Sequence, residues 1–384
     1  MVYINLETNL TIASYFNDNI APERLLRYLE ASTGERIIPE ETLIIFDEIQ
    51  SSERALTALK YFCEETPEYH IAAAGSLLGV AINRQHYSFP VGKVETLTLY
   101  PLDFEEYLGA RSQKLLSEEI RRAYEKMEPL PDALHQKAIE LYREYLLIGG
   151  RPARINAFLK SGSFLDVPLV QNEILDNYIA DMAKYASNTD SVKIRACYNS
   201  IPAQLAKDNK KFQYKVVQKG GSAALFGASI EWLNLAGVVL KCQRINQAIE
   251  PIAVYTDLSA FKLYMGDVGL LTMKSGLSQQ TVLSGEGNTF MGAVTENYVA
   301  QQLAAKGYDL YYWESSSTAE LDFVLQKGNQ IVGVEVKKGE HVRSRSLSVF
   351  VDSYKPAYSV RLSLKNFGEK DGLKSVPLYA AFCV

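Results

Sequence analysis

Short apolar runs alternate with stretches of helical periodicity through the first 110 residues. Runs at 2–6, 42–46 and 70–74 predict strands, and amphipathic stretches near 21–31 and 53–65 predict helices between them. Strand alternating with helix is the pattern of a parallel α/β sheet. A further strand is expected over 94–99, leading through Pro101 into a helix over 103–108. Residues 111–190 read as mostly helical, interrupted at Leu130-Pro131 and at Gly149-Gly150-Arg151-Pro152. Helices at 201–207 and 223–236 then precede a strand that starts at Gly237-Val238-Val239-Leu240 and returns through 252–255. Helix, helix and strand pair in that order predict a winged-helix-like module over 191–280. A glycine-bearing break from Ser275-Gly276 to Gly285-Glu286-Gly287 separates the last segment, 281–384, which opens with a helix over 291–306 and continues as strands.

Composition narrows this picture only modestly. With 384 residues, 47% hydrophobic and 22% charged, the chain is a globular multidomain α/β protein without low-complexity tracts. Its net charge of −5 excludes a global basic field, so contact with DNA would have to be local. Lys207, Lys210, Lys211, Lys215 and Lys219 form the one basic stretch suited to it, on the loop side of the winged-helix-like module; a solvated lysine-rich loop reads equally well. Cys63, Cys197, Cys242 and Cys383 are scattered, and His70, His86, His135 and His341 lack metal-ligand spacing. With no basic-then-apolar start and no apolar run of about 18 residues, the expected setting is the cytoplasm, without a membrane span.

The first candidate chemistry is Asp47-Glu48, which closes the apolar run Leu43-Ile44-Ile45-Phe46. That is how a P-loop ATPase presents its Walker B pair: the Asp holds Mg²⁺ and the Glu polarises the attacking water. Its partner, G-x-x-x-x-G-K-[S/T], whose backbone amides cradle the phosphates, occurs nowhere in the 384 residues. The loop is expected to lie before residue 1, leaving the sheet one central strand short with a bare edge. Ser76 follows the run His70-Ile71-Ala72-Ala73-Ala74 at the sheet's carboxyl edge, where a polar side chain can read a γ-phosphate or simply cap a helix. Arg84 and Lys93 are the nearest downstream basic residues able to reach a phosphate.

The strings Tyr3-Ile4-Asn5-Leu6-Glu7, Ile44-Ile45-Phe46-Asp47-Glu48-Ile49-Gln50, Ala74-Gly75-Ser76-Leu77-Leu78, Phe89-Pro90-Val91-Gly92-Lys93 and Tyr100-Pro101-Leu102-Asp103-Phe104-Glu105-Glu106-Tyr107 resemble one family. It is the prokaryotic AAA-type ATPases that carry domain of unknown function 4143 in their C-terminal half. Gly149-Gly150-Arg151-Pro152, Phe212-Gln213-Tyr214 and Lys262-Leu263-Tyr264 with Asp267-Val268-Gly269-Leu270 extend the resemblance over most of the chain. The resemblance implies a P-loop AAA-type sheet over 1–110, a helical lid over 111–190, ATP with Mg²⁺ as cofactors, and assembly into a homo-oligomer.

The second candidate site lies in the last segment. Ala319-Glu320-Leu321-Asp322-Phe323-Val324-Leu325 and Val332-Gly333-Val334-Glu335-Val336-Lys337 alternate polar and apolar positions around the turn signal Lys327-Gly328-Asn329. A two-residue turn at Gly328-Asn329 places Asp322 opposite Glu335, with Cβ atoms about 4.5–5.5 Å apart. Glu296 falls on an otherwise apolar helical stripe with Gly292, Val299 and Leu303, where a charge needs a partner. Glu296, Asp322 and Glu335 as ligands of Mg²⁺ or Mn²⁺, with Lys337 assisting catalysis, follow the order of the PD-(D/E)xK nuclease site. The expected function is nucleotide-dependent action on DNA or a protein partner through the C-terminal half. The alternatives are a non-catalytic scaffold and a metal-dependent nuclease that needs no ATP.

Overall fold

The computed structural model describes residues 1–75, 90–164, 188–285, 288–315, 319–339 and 345–384. They form two compact units, Met1–Leu99 and Tyr100–Val384.

In the first unit, strands β1 (Val2–Asn5), β2 (Leu43–Asp47) and β3 (His70–Ala73) make a parallel sheet in the order β1-β2-β3. Period two places Val2, Ile4, Ile44 and Phe46 on the buried face, against Leu25 and Leu29 of helix α2 (Pro22–Thr33) and Phe62 of helix α3 (Glu53–Glu65). Between β1 and α2 runs the short helix α1 (Leu10–Ser14). Pro22 opens α2, and Gly34, at φ +73°, ends it in a left-handed cap. The three expected strands and both helices are present. The expected strand over 94–99 is not: that segment pairs with no described strand, and Leu97 and Leu99 are 82% and 96% exposed. Alternating sequence alone does not make a strand, because its N–H and C=O groups need a neighbour. β3, an edge strand among the described residues, is at best half-buried along its length.

The second unit begins with helices α4 (Phe104–Ala110), α5 (Lys114–Lys126), α6 (Asp132–Ile148) and α7 (Pro152–Ser161). Asp103 and Glu106 close a capping box at the start of α4. Helices α8 (Asn188–Leu205), α9 (Tyr214–Val217) and α10 (Ala223–Leu235) follow, then strands β4 (Val239–Ile245) and β5 (Thr256–Met265). The expected helix at 201–207 is the end of the longer α8. The return strand starts at Thr256, because Ile252–Tyr255 is a 3₁₀ turn behind Pro251. Helices α11 (Val268–Lys274), α12 (Gln279–Ser284) and α13 (Met291–Ala305) lead to strands β6 (Tyr311–Glu314), β7 (Glu320–Lys327) and β8 (Gln330–Val336). Helix α14 (Arg345–Tyr354) and strands β9 (Ser359–Ser363), β10 (Gly368–Lys370) and β11 (Leu373–Pro377) complete the chain, which ends in a 3₁₀ turn.

The strands β4 to β11 form one eight-stranded mixed sheet in the order β10-β11-β9-β8-β7-β6-β4-β5. The strand pair expected as a wing thus continues the sheet of the last segment, through a parallel β4–β6 pairing. Helix α13, buried almost all round, packs on one face of this sheet, and Phe350 of α14 packs with Trp313 and Leu321 on the other. Gly333 lets Phe350 approach: a Cβ there would lie 2.7 Å from the Phe350 ring.

Candidate functional site

Asp47 ends the middle strand of the first sheet, at the carboxyl edge where ligands of open α/β sheets bind. Its Oδ2 accepts hydrogen bonds from the Tyr3 hydroxyl and from Asn5 Nδ2, and its Oδ1 accepts the Glu48 N–H at 3.0 Å. Register explains the contact, since Asn5 pairs with Asp47 and Tyr3 with Ile45. Glu48 adopts a left-handed conformation (φ 53°, ψ 41°), uncommon for a residue with a side chain, and its carboxylate accepts from Gln50 Nε2. Asp47 is therefore held in place by two side chains of β1. Tyr3 and Asn5 were not expected in this role; their signal was two polar positions on a strand beside the acid pair. Ser76 and Arg84 lie outside the described residues. Lys93 is engaged with Glu64, at 3.1 Å.

In the second unit, Glu296 on α13 is 2% exposed and faces the sheet. Its carboxylate accepts from Lys262 Nζ at 3.0 Å, from Lys210 Nζ and from the Tyr264 hydroxyl. Lys262, fully buried on β5, also bridges to Glu320 at 2.5 Å and lies 5.0 Å from the Tyr312 ring centroid. Burial alone would raise the pKa of Glu296; the ammonium groups of Lys262 and Lys210 overcome that and hold it below the usual carboxylate range. Asp322 takes part in the same cluster. Burial and then the negative charge of Glu296 push its pKa up to about 6, although its Oδ2 accepts the Val336 N–H at 2.8 Å.

The β7–β8 hairpin has the expected two-residue turn: Lys327 pairs with Gln330 and Phe323 with Val334, so Asp322 falls across from Glu335. A bulge separates their side chains. Tyr311 pairs with Val324 but Trp313 with Leu321, so β7 spends three steps against two on β6, which turns Asp322 toward α13. On β8, Val332, Val334 and Val336 face the α13 side, leaving Glu335 on the other. There Glu335 meets Lys337 at 3.1 Å and Arg361 at 3.4 Å. The structure thus brings Glu296 and Asp322 together and separates both from Glu335 and Lys337. Among the described residues no group of three or more His, Cys, Asp or Glu side chains is placed to hold a metal ion. The expected Mg²⁺ or Mn²⁺ ligand set does not converge, and ammonium groups occupy the place of a cation.

Lys262 and Glu320 were the members that sequence reasoning missed. A lysine inside the apolar run Phe261-Lys262-Leu263-Tyr264 carried the same signal as Glu296, a charge needing a partner. Three of the five lysines expected to face DNA are engaged internally: Lys210 with Glu296, Lys211 with Glu314 at 2.6 Å, and Lys207 with Gln213 Oε1 at 3.1 Å. Lys215 and Lys219 remain exposed.

The Asp322 arrangement fixes a pH dependence. Its folded-state pKa lies above the unfolded value, so ionising Asp322 costs stability as pH rises from about 4 to about 6. Asp322→Asn should raise stability by about 1–3 kcal/mol at pH 8 and by almost nothing at pH 4. Thermal melts of both proteins at the two pH values check this, and a gain that does not grow with pH would remove the assignment.

Comparison with known proteins agrees with the two ends of the chain. Residues 1–108 match the AAA domain family model, and residues 291–381 match domain of unknown function 4143. The chain is a multidomain protein that carries an AAA domain over residues 1–108. More particularly, it is one with domain 4143 at its C-terminal end, and residues 139–281 between them match domain of unknown function 8612. Uncharacterized proteins of Mycobacterium tuberculosis and Mycobacterium bovis are each 37% identical over 79 residues, 20% of this chain and 18% of the relative. The match thus spans less than a fifth of those relatives' length. A Walker-type ATPase of Pyrococcus abyssi aligns over 71% of this chain and 83% of its own, at 12% identity and a TM-score of 0.38. Among the described residues no helix is long and apolar enough to cross a membrane.

Proposed function

We propose that Asp47 and Glu48 form the acid half of a nucleotide site, with Asp47 holding Mg²⁺ and Glu48 polarising water. The observation that carries this is an Asp-Glu pair at the carboxyl end of the middle strand of a parallel sheet, with the Asp oriented by Tyr3 and Asn5. ATP bound there would supply the phosphoanhydride to be hydrolysed. The 384 residues contain no G-x-x-x-x-G-K-[S/T] loop, so the acid pair can act only together with a phosphate cradle of another origin. Calorimetric titration of Mg·ATP into this chain should therefore be silent. Micromolar affinity would overturn the view that the loop is indispensable.

The second unit reads best as a module that binds DNA or a protein partner for the ATPase domain. Its carboxylates support this reading over metal-dependent nuclease chemistry: Glu296 is neutralised by two lysines, and Glu335 and Lys337 lie on the opposite face of the sheet.

A further inference from the structure

Helix α10 is apolar on both of its faces, although only one of them is buried. Phe226, Ile230 and Leu233 enter the core, beside α8 and β4. At about 100° per residue, Ala224, Ala228, Glu231 and Leu235 line up on the opposite side, with Leu225 and Trp232 next to them. Leu225 and Leu235 are 40% and 42% exposed. Helix α5 shows the ordinary arrangement: Lys114, Glu118, Arg121, Arg122 and Glu125 are among its exposed positions. Water is a poor neighbour for an apolar helix face, and burying it against a second one is favourable.

Charge limits what that second face can be. Glu231 is the only charged residue of α10, and Lys241 Nζ on β4 already matches it. Lys215 and Lys219, shortly before the helix, are exposed and make no ion pair among the described residues. The chain folds tightly there: a Cβ on Gly221 would lie 2.3 Å from the Tyr214 carbonyl oxygen, and the Gly221 N–H donates to the Gln218 carbonyl at 2.9 Å. Both lysines are thereby kept at the amino end of α10, whose first turn carries no acidic residue. The surface is an apolar stripe with positive charge at one end. It does not suit base readout, which needs donors and acceptors at the exposed positions. The side chains of Ala223, Ala224, Leu225, Ala228 and Leu235 offer neither, and Glu231 offers no donor.

We propose that this face of α10 docks an acidic amphipathic helix of a partner protein. The partner's apolar stripe lies along Ala224, Ala228 and Leu235, between Leu225 and Trp232, and its carboxylates meet Lys215 and Lys219. The small side chains of Ala224 and Ala228 let the two backbones approach closely. The proposal rests on the reading of the second unit as a binding module, and it chooses a protein helix over DNA. It lies within the Tyr100–Val384 unit and does not depend on the ATP reading of Asp47.

Fluorescence anisotropy of the full chain with three labelled probes tests this. The first is a tryptophan-free helical peptide of about 18 residues, with leucines at i, i+3, i+4 and i+7 spacing and glutamates on the flanks. The second carries lysines in place of the glutamates, and the third is a DNA duplex. The glutamate peptide should bind about tenfold more tightly than the lysine peptide. The double variant Leu225→Glu/Ala228→Glu should bind it about tenfold more weakly, with an unchanged far-ultraviolet circular dichroism spectrum. Equal binding of the two peptides, or equal binding by the variant, overturns the proposal. Duplex binding that the same substitutions abolish also overturns it, and leaves the binding-module reading standing; binding of none of the three overturns both. Sedimentation velocity of the chain alone covers the remaining occupant: a dimer that the double variant loses assigns the face to a second copy and overturns the acidic helix. Should the double variant not fold, Trp232 decides. The glutamate peptide should shift the tryptophan emission of the wild type and not that of Trp232→Phe, and an equal shift in both refutes the docking face.

Discussion

Replacing Asp267 by alanine should destabilise the Tyr100–Val384 unit by about 3–5 kcal/mol, the cost of stranding a buried charge. Asp267 is 1% exposed and Arg154 is fully buried. One Asp267 oxygen accepts from Arg154 Nη2 and from the Leu270 N–H at 3.0 Å; the other accepts the Gly150 N–H at 2.7 Å. The carboxylate thus pairs with the guanidinium, caps α11 and ties down the α6–α7 turn at once. Burial opposes its ionisation, and Arg154 and then Arg151 outweigh burial and hold its pKa down. Alanine would leave Arg154 charged with no counter-ion. The glycines around the pair show how little room there is. A Cβ on Gly149, which sits at φ +74°, would lie 2.3 Å from Asp267 Oδ1, and one on Gly269 would lie 2.6 Å from the Ile148 carbonyl. Both tryptophans, Trp232 and Trp313, belong to this unit, so urea unfolding followed by tryptophan fluorescence reports on it alone. A loss below 1 kcal/mol would show that this cluster does not hold the unit together.

Lys262→Met should cost a comparable amount, about 3–5 kcal/mol at pH 8, because it keeps the volume and removes the shared counter-ion. Glu320 would lose the ammonium that bridges it, and Glu296 would keep only Lys210. Burial already raises the pKa of Glu320 and would raise it further without Lys262, and the hold that keeps Glu296 below the usual carboxylate range would weaken. For an acid, a raised folded-state pKa means that stability falls as pH rises through the window, so the loss at pH 8 should exceed the loss at pH 5. The same fluorescence-monitored unfolding at the two pH values checks it. An equal, small loss at both would mean that Lys262 serves packing rather than charge balance.

The elements whose sequence signals were local and whose neighbours lie in the chain were legible: β1, β2, β3, α3, the Gly328-Asn329 turn and the β7–β8 register. The misses share one physical cause, that sequence period does not specify the neighbour. The 94–99 segment alternates correctly yet has no described strand to pair with. The expected wing has the right strands, but β6 lies beside β4 and absorbs it into a larger sheet. At the candidate site, the pairing of Asp322 and Glu335 was legible from the turn. The bulge that turns Asp322 toward α13 depends on β6, on the other side of β7, and a hairpin's own sequence does not show it. Lys262 and Glu296 were both visible as charges in apolar surroundings, and only the fold reveals that they answer one another.

The parallel β4–β6 pairing has a consequence for how such a protein could be divided or inherited. Sequence families mark a border between residues 281 and 291, yet the backbone hydrogen bonds of one sheet run across it. Chain severed there would leave β4 and β6 each with a raw edge of unmet donors and acceptors. The two domains of unknown function are separate as recurring text and inseparable as matter: in this fold, neither half can be exchanged for an unrelated neighbour without a strand to replace the one it loses.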